Sequence, residues 1–369
     1  MRFNPTQLRV RQDGMSLIEL MIALVVGLIL MAGVISIFIS SRQSYGINNA
    51  VGQIQENGRF ALDFIRTDAR MAGYMGCATS AQITSYLNTP SGSNLPYDFG
   101  TALTGFEYSG TAPSNSYTIP AENPSPSTGA GNWSPTLDST LQNKVMPGSD
   151  VLVVRYSQAG TSQIYINFVP STPSADFSVT TNGGIQSGGL LIVSNCVSAV
   201  VLQATQVNGG GTNVVHNTGS GSPGNAIKIL PTYFQGAQVT LAPTTTVFYV
   251  GQGADGSPAL FEAVTDTSQA NGFQYQELVA GVENMQVLYG VDLTGSQVPS
   301  EYVTATNVAN WSSVVSVRIA LLLRSDLGAV SLPAAAPTYN LLGTTITVPR
   351  DTRLRQVFTA TIAIRNRLP

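Results

Sequence analysis

The sequence predicts an α+β chain: one long N-terminal helix followed by a mainly antiparallel β-sheet domain with long loops. Three observations predict it. An uncharged apolar run fills residues 20–39, and a helical spacing of apolar residues carries on from it to Ala72. Beyond that point the pattern changes to short apolar or alternating runs, separated by Gly, Pro, Ser, Thr and Asn.

The run at 20–39 reads LMIALVVGLILMAGVISIFI. At about 1.5 Å of rise per residue it spans roughly 30 Å, the hydrocarbon thickness of a bilayer. Arg2, Arg9 and Arg11 precede it against one acid, Asp13, which holds the N-terminus in the cytoplasm and sends the remainder outside. A secretory signal fits poorly, because its apolar region is about 7–15 residues long and ends at a small-residue cleavage site. Here the polar leader stops at Gly14, before the apolar run. Glu19 stands at the leading end of the span. A carboxylate inside a membrane helix costs about 2.5–3.5 kcal/mol at the centre and less near the end, so Glu19 reads as functional. The plainer alternative is a first-turn acid at the interface, favoured by the helix dipole.

The second half of the helix is amphipathic. Ile47, Val51, Ile54, Ala61, Ile65, Ala69 and Ala72 recur at mostly three- and four-residue steps, with Gln43, Glu56, Arg59, Asp63, Arg66 and Arg70 falling largely between them. Gly73 and Gly76 end it, giving a helix over 15–73. Strands are predicted at 150–157, 164–168, 190–193, 197–203, 226–230, 246–250, 259–264, 282–289, 314–324, 344–348 and 355–365. The pair 246–250 and 259–264 forms a hairpin around Asp255-Gly256. Residues 78–149 read as long loops with short strands, and 205–225 as loop.

Composition narrows the function. Only 10% of the 369 residues are charged, against about a quarter in an ordinary soluble protein. That balance, with abundant small polar residues, suits an exported β-rich surface. A net charge of -3 argues against direct nucleic-acid binding, which needs a basic face.

The segment Gly14-Met15-Ser16-Leu17-Ile18-Glu19-Leu20 resembles the type IV prepilin processing site, with Met15 where Phe is usual and Ser16 where Thr is usual. The resemblance implies a leader over 1–14, cleavage between Gly14 and Met15 by prepilin peptidase, and N-methylation of Met15. It also makes Glu19 the residue that sets filament register, paired with the new α-ammonium of Met15 or that of a neighbouring subunit, because an unpaired carboxylate in an apolar filament core is costly. Loss of the leader leaves a mature charge of -5. Three C-terminal blocks, ELVAGVENMQVLYGVD (277–292), WSSVVSVRIALLLRS (311–325) and RLRQVFTATIAIRNR (353–367), resemble the PilW family of type IV pilus minor pilins.

Several residues invite a chemical reading. Residues 219–224 match G-x-G-x-x-G, but a Gly- and Asn-rich loop precedes them and no helix opens after them, so a nucleotide site is not expected. His216 is the only histidine, and a solvated loop residue is the favoured reading. Asp255, Asp266, Asp292 and Asp351 are scattered singly and make no EF-hand loop. No cofactor, metal site or catalytic group is expected. In an oxidising compartment Cys77 and Cys196 can form one disulfide between the helix end and the sheet, contributing at most about 5 kcal/mol. Two separate buried thiols are the alternative.

What the resemblance implies is a structural protein. Residues 74–369 form the periplasmic and then cell-surface domain, and 20–39 the single inner-membrane span. Partners are sister minor pilins, the major pilin, prepilin peptidase, the inner-membrane assembly platform and a tip adhesin. Its expected work is to prime pilus assembly and sit at or near the tip, in support of adhesion and twitching motility. The rivals are a J-type pseudopilin of a type II secretion system and a membrane-tethered periplasmic binding module.

Overall fold

Leu17–Met71 form one helix of 55 residues, about 80 Å long. The computed structural model describes residues 14–88, 95–120, 123–157, 163–171 and 174–367. The basic leader residues Arg2, Arg9 and Arg11 lie outside these. Ser16 caps the helix: its Oγ accepts from the Glu19 amide at 3.2 Å. At the far end Gly73 takes a left-handed φ of +79°, and its amide donates to the Arg155 carbonyl at 2.8 Å, which docks the helix end onto a strand.

The helix has two environments. From Met15 to Arg42 every residue is exposed. Further along, Ala50, Ile54, Gly58, Ala61, Leu62, Ile65 and Ala69 are buried on one face. This stripe shares Ile54, Ala61, Ile65 and Ala69 with the expected one, while Ile47 and Val51 are only half-buried. The difference arises because Ala50 and Gly58, the small residues, let the sheet come close. A Cβ on Gly58 would stand 2.6 Å from the Phe358 ring.

Four sheets follow. The helix packs chiefly on a four-stranded sheet with the order Glu301–Val303, Val282–Val291, Val314–Arg324, Arg355–Ala363. A six-stranded sheet with the order Phe273–Ala280, Pro258–Thr265, Pro243–Gln252, Val151–Ser157, Leu103–Tyr108, Trp133–Ser134 adjoins it. One core joins helix residues such as Ile54 and Ile65 to Leu152, Phe248, Met285, Ile319 and Leu321 of these two sheets. An eight-stranded sheet lies beyond, running from Ile83–Ser85 through Ala199–Gln203 and Leu190–Ser194 to Gln206–Asn208, with a core of its own. The fourth is the three-stranded sheet Thr338–Leu341, Thr344–Thr347, Ser116–Thr118. Two strand pairings are parallel, Ile83–Ser85 with Ala199–Gln203 and Thr344–Thr347 with Ser116–Thr118, and the rest among the described residues are antiparallel.

The α+β architecture is therefore as expected, and three local expectations are corrected. Residues 226–230 are not a strand: the Ala226 amide bonds to the Tyr86 carbonyl, but Ile227 and Ile229 are exposed and no ladder forms. The strand expected from Val197 begins at Ala199, because the Asn195 side chain accepts from the Val197 and Ser198 amides and holds a turn there. Within 205–225 a hairpin, Gln206–Asn208 with Asn213–Val215, turns on Gly209, Gly210 and Gly211, all at positive φ. The predicted hairpin around Asp255-Gly256 is present, extended to Pro243–Gln252 with Pro258–Thr265.

Candidate functional site

The N-terminal turn of the helix gathers the residues singled out in the sequence. Gly14 and Met15 lie just ahead of the Ser16 cap, exposed. Glu19 is the acid of the first turn, where the unsatisfied amides favour negative charge. Its side chain is exposed, and no ion pair involves it among the described residues. The span Leu17–Ile39 around it contributes nothing to the protein's own core. This end of the molecule is an apolar rod carrying one free carboxylate near its tip. It can enter lipid or pack against other helices.

At the other end of the helix, Cys77 and Cys196 form a disulfide with Cα atoms 5.1 Å apart. The bridge is exposed and ties the chain just past the helix to the turn between Leu190–Ser194 and Ala199–Gln203. Separate buried thiols are thereby excluded.

Residues 219–224 are a tight turn held from beneath by Gln203. The Gln203 Nε2 donates to the Ser222 and Gly188 carbonyls, and its Oε1 accepts from the Gly224 amide. No helix opens there, as a phosphate cradle would require. His216 overturns the solvated-loop expectation. It is fully buried beside Phe177, and burial lowers its pKa to about 4, so the imidazole is neutral at pH 7. The scattered acids are turn-holders. Asp255 accepts from the Ser257 amide, Asp266 from that of Ser268, and Asp292 from the amides of residues 294–297.

Sequence reading missed a buried ionic cluster. Glu283 Oε2 accepts from Arg355 Nε at 2.6 Å, and Arg355 forks onto Asp351 through two bonds of 2.7 Å. Arg324 reaches Glu283 at 3.4 Å and Asn123 at 2.6 Å. The desolvation that raises the Asp351 pKa is outweighed by these bonds, leaving it below the ordinary carboxylate value. The only sequence signal was the placement of charges at the ends of apolar strands. Among the described residues no group of three His, Cys, Asp or Glu side chains is arranged to hold a metal.

Known proteins resemble the chain at both ends. Residues 9–35 match the prokaryotic N-terminal methylation motif, and residues 247–366 match the type IV pilus-assembly protein W family, PilW. A type IV-like pilin from Thermus thermophilus aligns at 16% identity and a TM-score of 0.22, over 50% of this chain and 86% of that one. No curated protein matches the chain. The chain is thus similar to type IV pilus proteins at its two ends, with a prepilin-like N-terminal motif. The PilW match takes in the C-terminal third of the chain and the methylation-motif match its N-terminus.

Proposed function

We propose that this chain is a minor pilin that helps prime type IV pilus assembly and is incorporated at or near the pilus tip. Residues 20–39 hold it in the inner membrane, with residues 74–369 on the periplasmic side. Prepilin peptidase cuts between Gly14 and Met15, and Met15 is then methylated. The assembly platform draws the helix into a filament among sister minor pilins and the major pilin. Adhesion and twitching motility are the activities such a pilus would serve. The observation that carries the reading is the exposed apolar rod from Leu17 to Ile39, with the Glu19 carboxylate unpaired at its tip. In a filament Glu19 finds a counter-charge on an α-ammonium, which removes the cost of an unpaired buried carboxylate. The match over residues 247–366 favours a pilus over a secretion pseudopilin.

The test is a deletion strain complemented with wild type, Gly14→Val and Glu19→Ala. Wild type should restore surface pili. N-terminal sequencing should find methylated Met15 in wild type and an uncut leader in Gly14→Val. Glu19→Ala should be inserted and cut but fail to support piliation. Normal piliation in the deletion itself would remove the priming role, and normal piliation with Glu19→Ala would remove the register role.

A further inference from the structure

The loop after Val314–Arg324 carries a feature that the filament reading does not use. From Leu327 to Pro349 the chain has no charged residue. Leu327 and Leu332 are 57% and 54% exposed, and Ala334, Ala335 and Ala336 are exposed beside them. The loop is fixed in place: the Val330 amide donates to the Thr352 carbonyl, the Gly328 amide to Thr352 Oγ1, and Arg350 Nε to the Pro333 carbonyl at 2.5 Å.

Its position on the helix supplies the second observation. Gly328, Val330 and Ser331 form one wall of a cleft whose other wall is Phe38, Ile39 and Arg42. Ser331 Oγ accepts from Gln43 Nε2 at 3.4 Å. Gln43 lies four residues past the end of the apolar run, about 6 Å along the axis. That is within the headgroup layer, about 5–8 Å deep on each side of the hydrocarbon. Arg42 in the cleft and Arg350 bonded to Pro333 are both exposed, against the exposed acid Asp326 at the start of the loop, a balance that suits anionic headgroups.

We propose that residues 327–337 are a second membrane contact, resting on the non-cytoplasmic lipid surface where the helix leaves the bilayer. Leu327 and Leu332 enter the interface while Arg42 and Arg350 face lipid phosphates. The head is thereby set at a fixed height and tilt over the bilayer before the helix is extracted. The proposal rests on the reading of 20–39 as a membrane span.

The test uses the full chain with its native cysteines bridged, so that an added cysteine is the one free thiol. Leu332→Cys, Ile29→Cys and Ser296→Cys each receive an environment-sensitive nitrobenzoxadiazole label. Residue 296 lies past the Val291 end of Val282–Val291, opposite the end that pairs with Leu323, and so reports the far side of the head. In phosphatidylcholine–phosphatidylglycerol vesicles containing spin-labelled lipid, labels at 29 and 332 should be quenched several-fold more than the label at 296. Quenching at 29 with none at 332 would overturn the loop contact and leave the span standing. Quenching at neither would overturn both. Protection of the 332 label that rises with protein density and lacks lipid quenching would assign the loop to a second copy of the chain, and would also overturn the proposal.

Discussion

At the scale of single residues, buried charge is handled in two ways. Glu283, Arg324, Asp351 and Arg355 form a closed cluster whose hydrogen bonds offset their desolvation. Glu107 and Asp150 are two acids buried near each other, and neither makes an ion pair among the described residues. Asp150 accepts from the Tyr108 and Val287 amides, at 3.1 and 2.9 Å, whereas Glu107 Oε1 has no partner. Burial, then the neighbouring Asp150 charge, raises the Glu107 pKa, so Glu107 keeps its proton. The folded state therefore holds a proton that the unfolded chain releases at ordinary carboxylate pH. Stability from this group is complete below the unfolded pKa and is lost as pH rises through the folded value. Glu107→Gln should flatten that decline and raise stability at pH 8, measured as denaturation midpoints across pH; an unchanged slope would assign it elsewhere. Little of this was legible in the sequence: Asp351 and Arg355 are four residues apart, but Glu283 and Arg324, like Glu107 and Asp150, are brought to their partners only by folding. Glu19, by contrast, stood out because its surroundings are local.

Among elements, the long helix was legible almost to its last residue, since a 3.6-residue period and a terminal glycine are local signals. Its buried face was read with less success because the sheet beneath it decides which residues come close. Gly58 is the clearest case. A mid-helix glycine costs about 1 kcal/mol relative to alanine, and here the close approach of Phe358 gives a reason to keep it. Gly58→Leu should lower stability by about 1–3 kcal/mol through overpacking, read from denaturant unfolding in detergent. A neutral result would show that the Phe358 ring swings aside at little cost. The hairpin across Gly209-Gly210-Gly211 carried a turn signal between two short β-prone runs, but its strands of three residues are too short to register as a period. The expected strand at 226–230 has alternation without a partner, and pairing is not visible in one segment alone.

For the whole molecule, the bridge from Cys77 to Cys196 joins the main core around the helix to the eight-stranded sheet with its separate core. It closes a loop with a sequence separation of 119, so removing it frees a large part of the unfolded chain. Cys77→Ser with Cys196→Ser should cost about 2–5 kcal/mol, seen as a lower midpoint in denaturant. The same midpoint with and without the bridge would mean that packing of Met75, Leu87, Tyr97 and Ile192 already holds the two parts together.

The same bridge has a mechanical consequence. Tension applied between the helix and the C-terminal strands would travel along the covalent chain only as far as Cys77, then cross directly to Cys196. Residues 78–195, which include the loop-rich segment and the strand Val151–Ser157, form a parallel branch that the covalent load path bypasses. Under load that branch is not stretched out, and the head can lengthen only through segments on either side of the crossing.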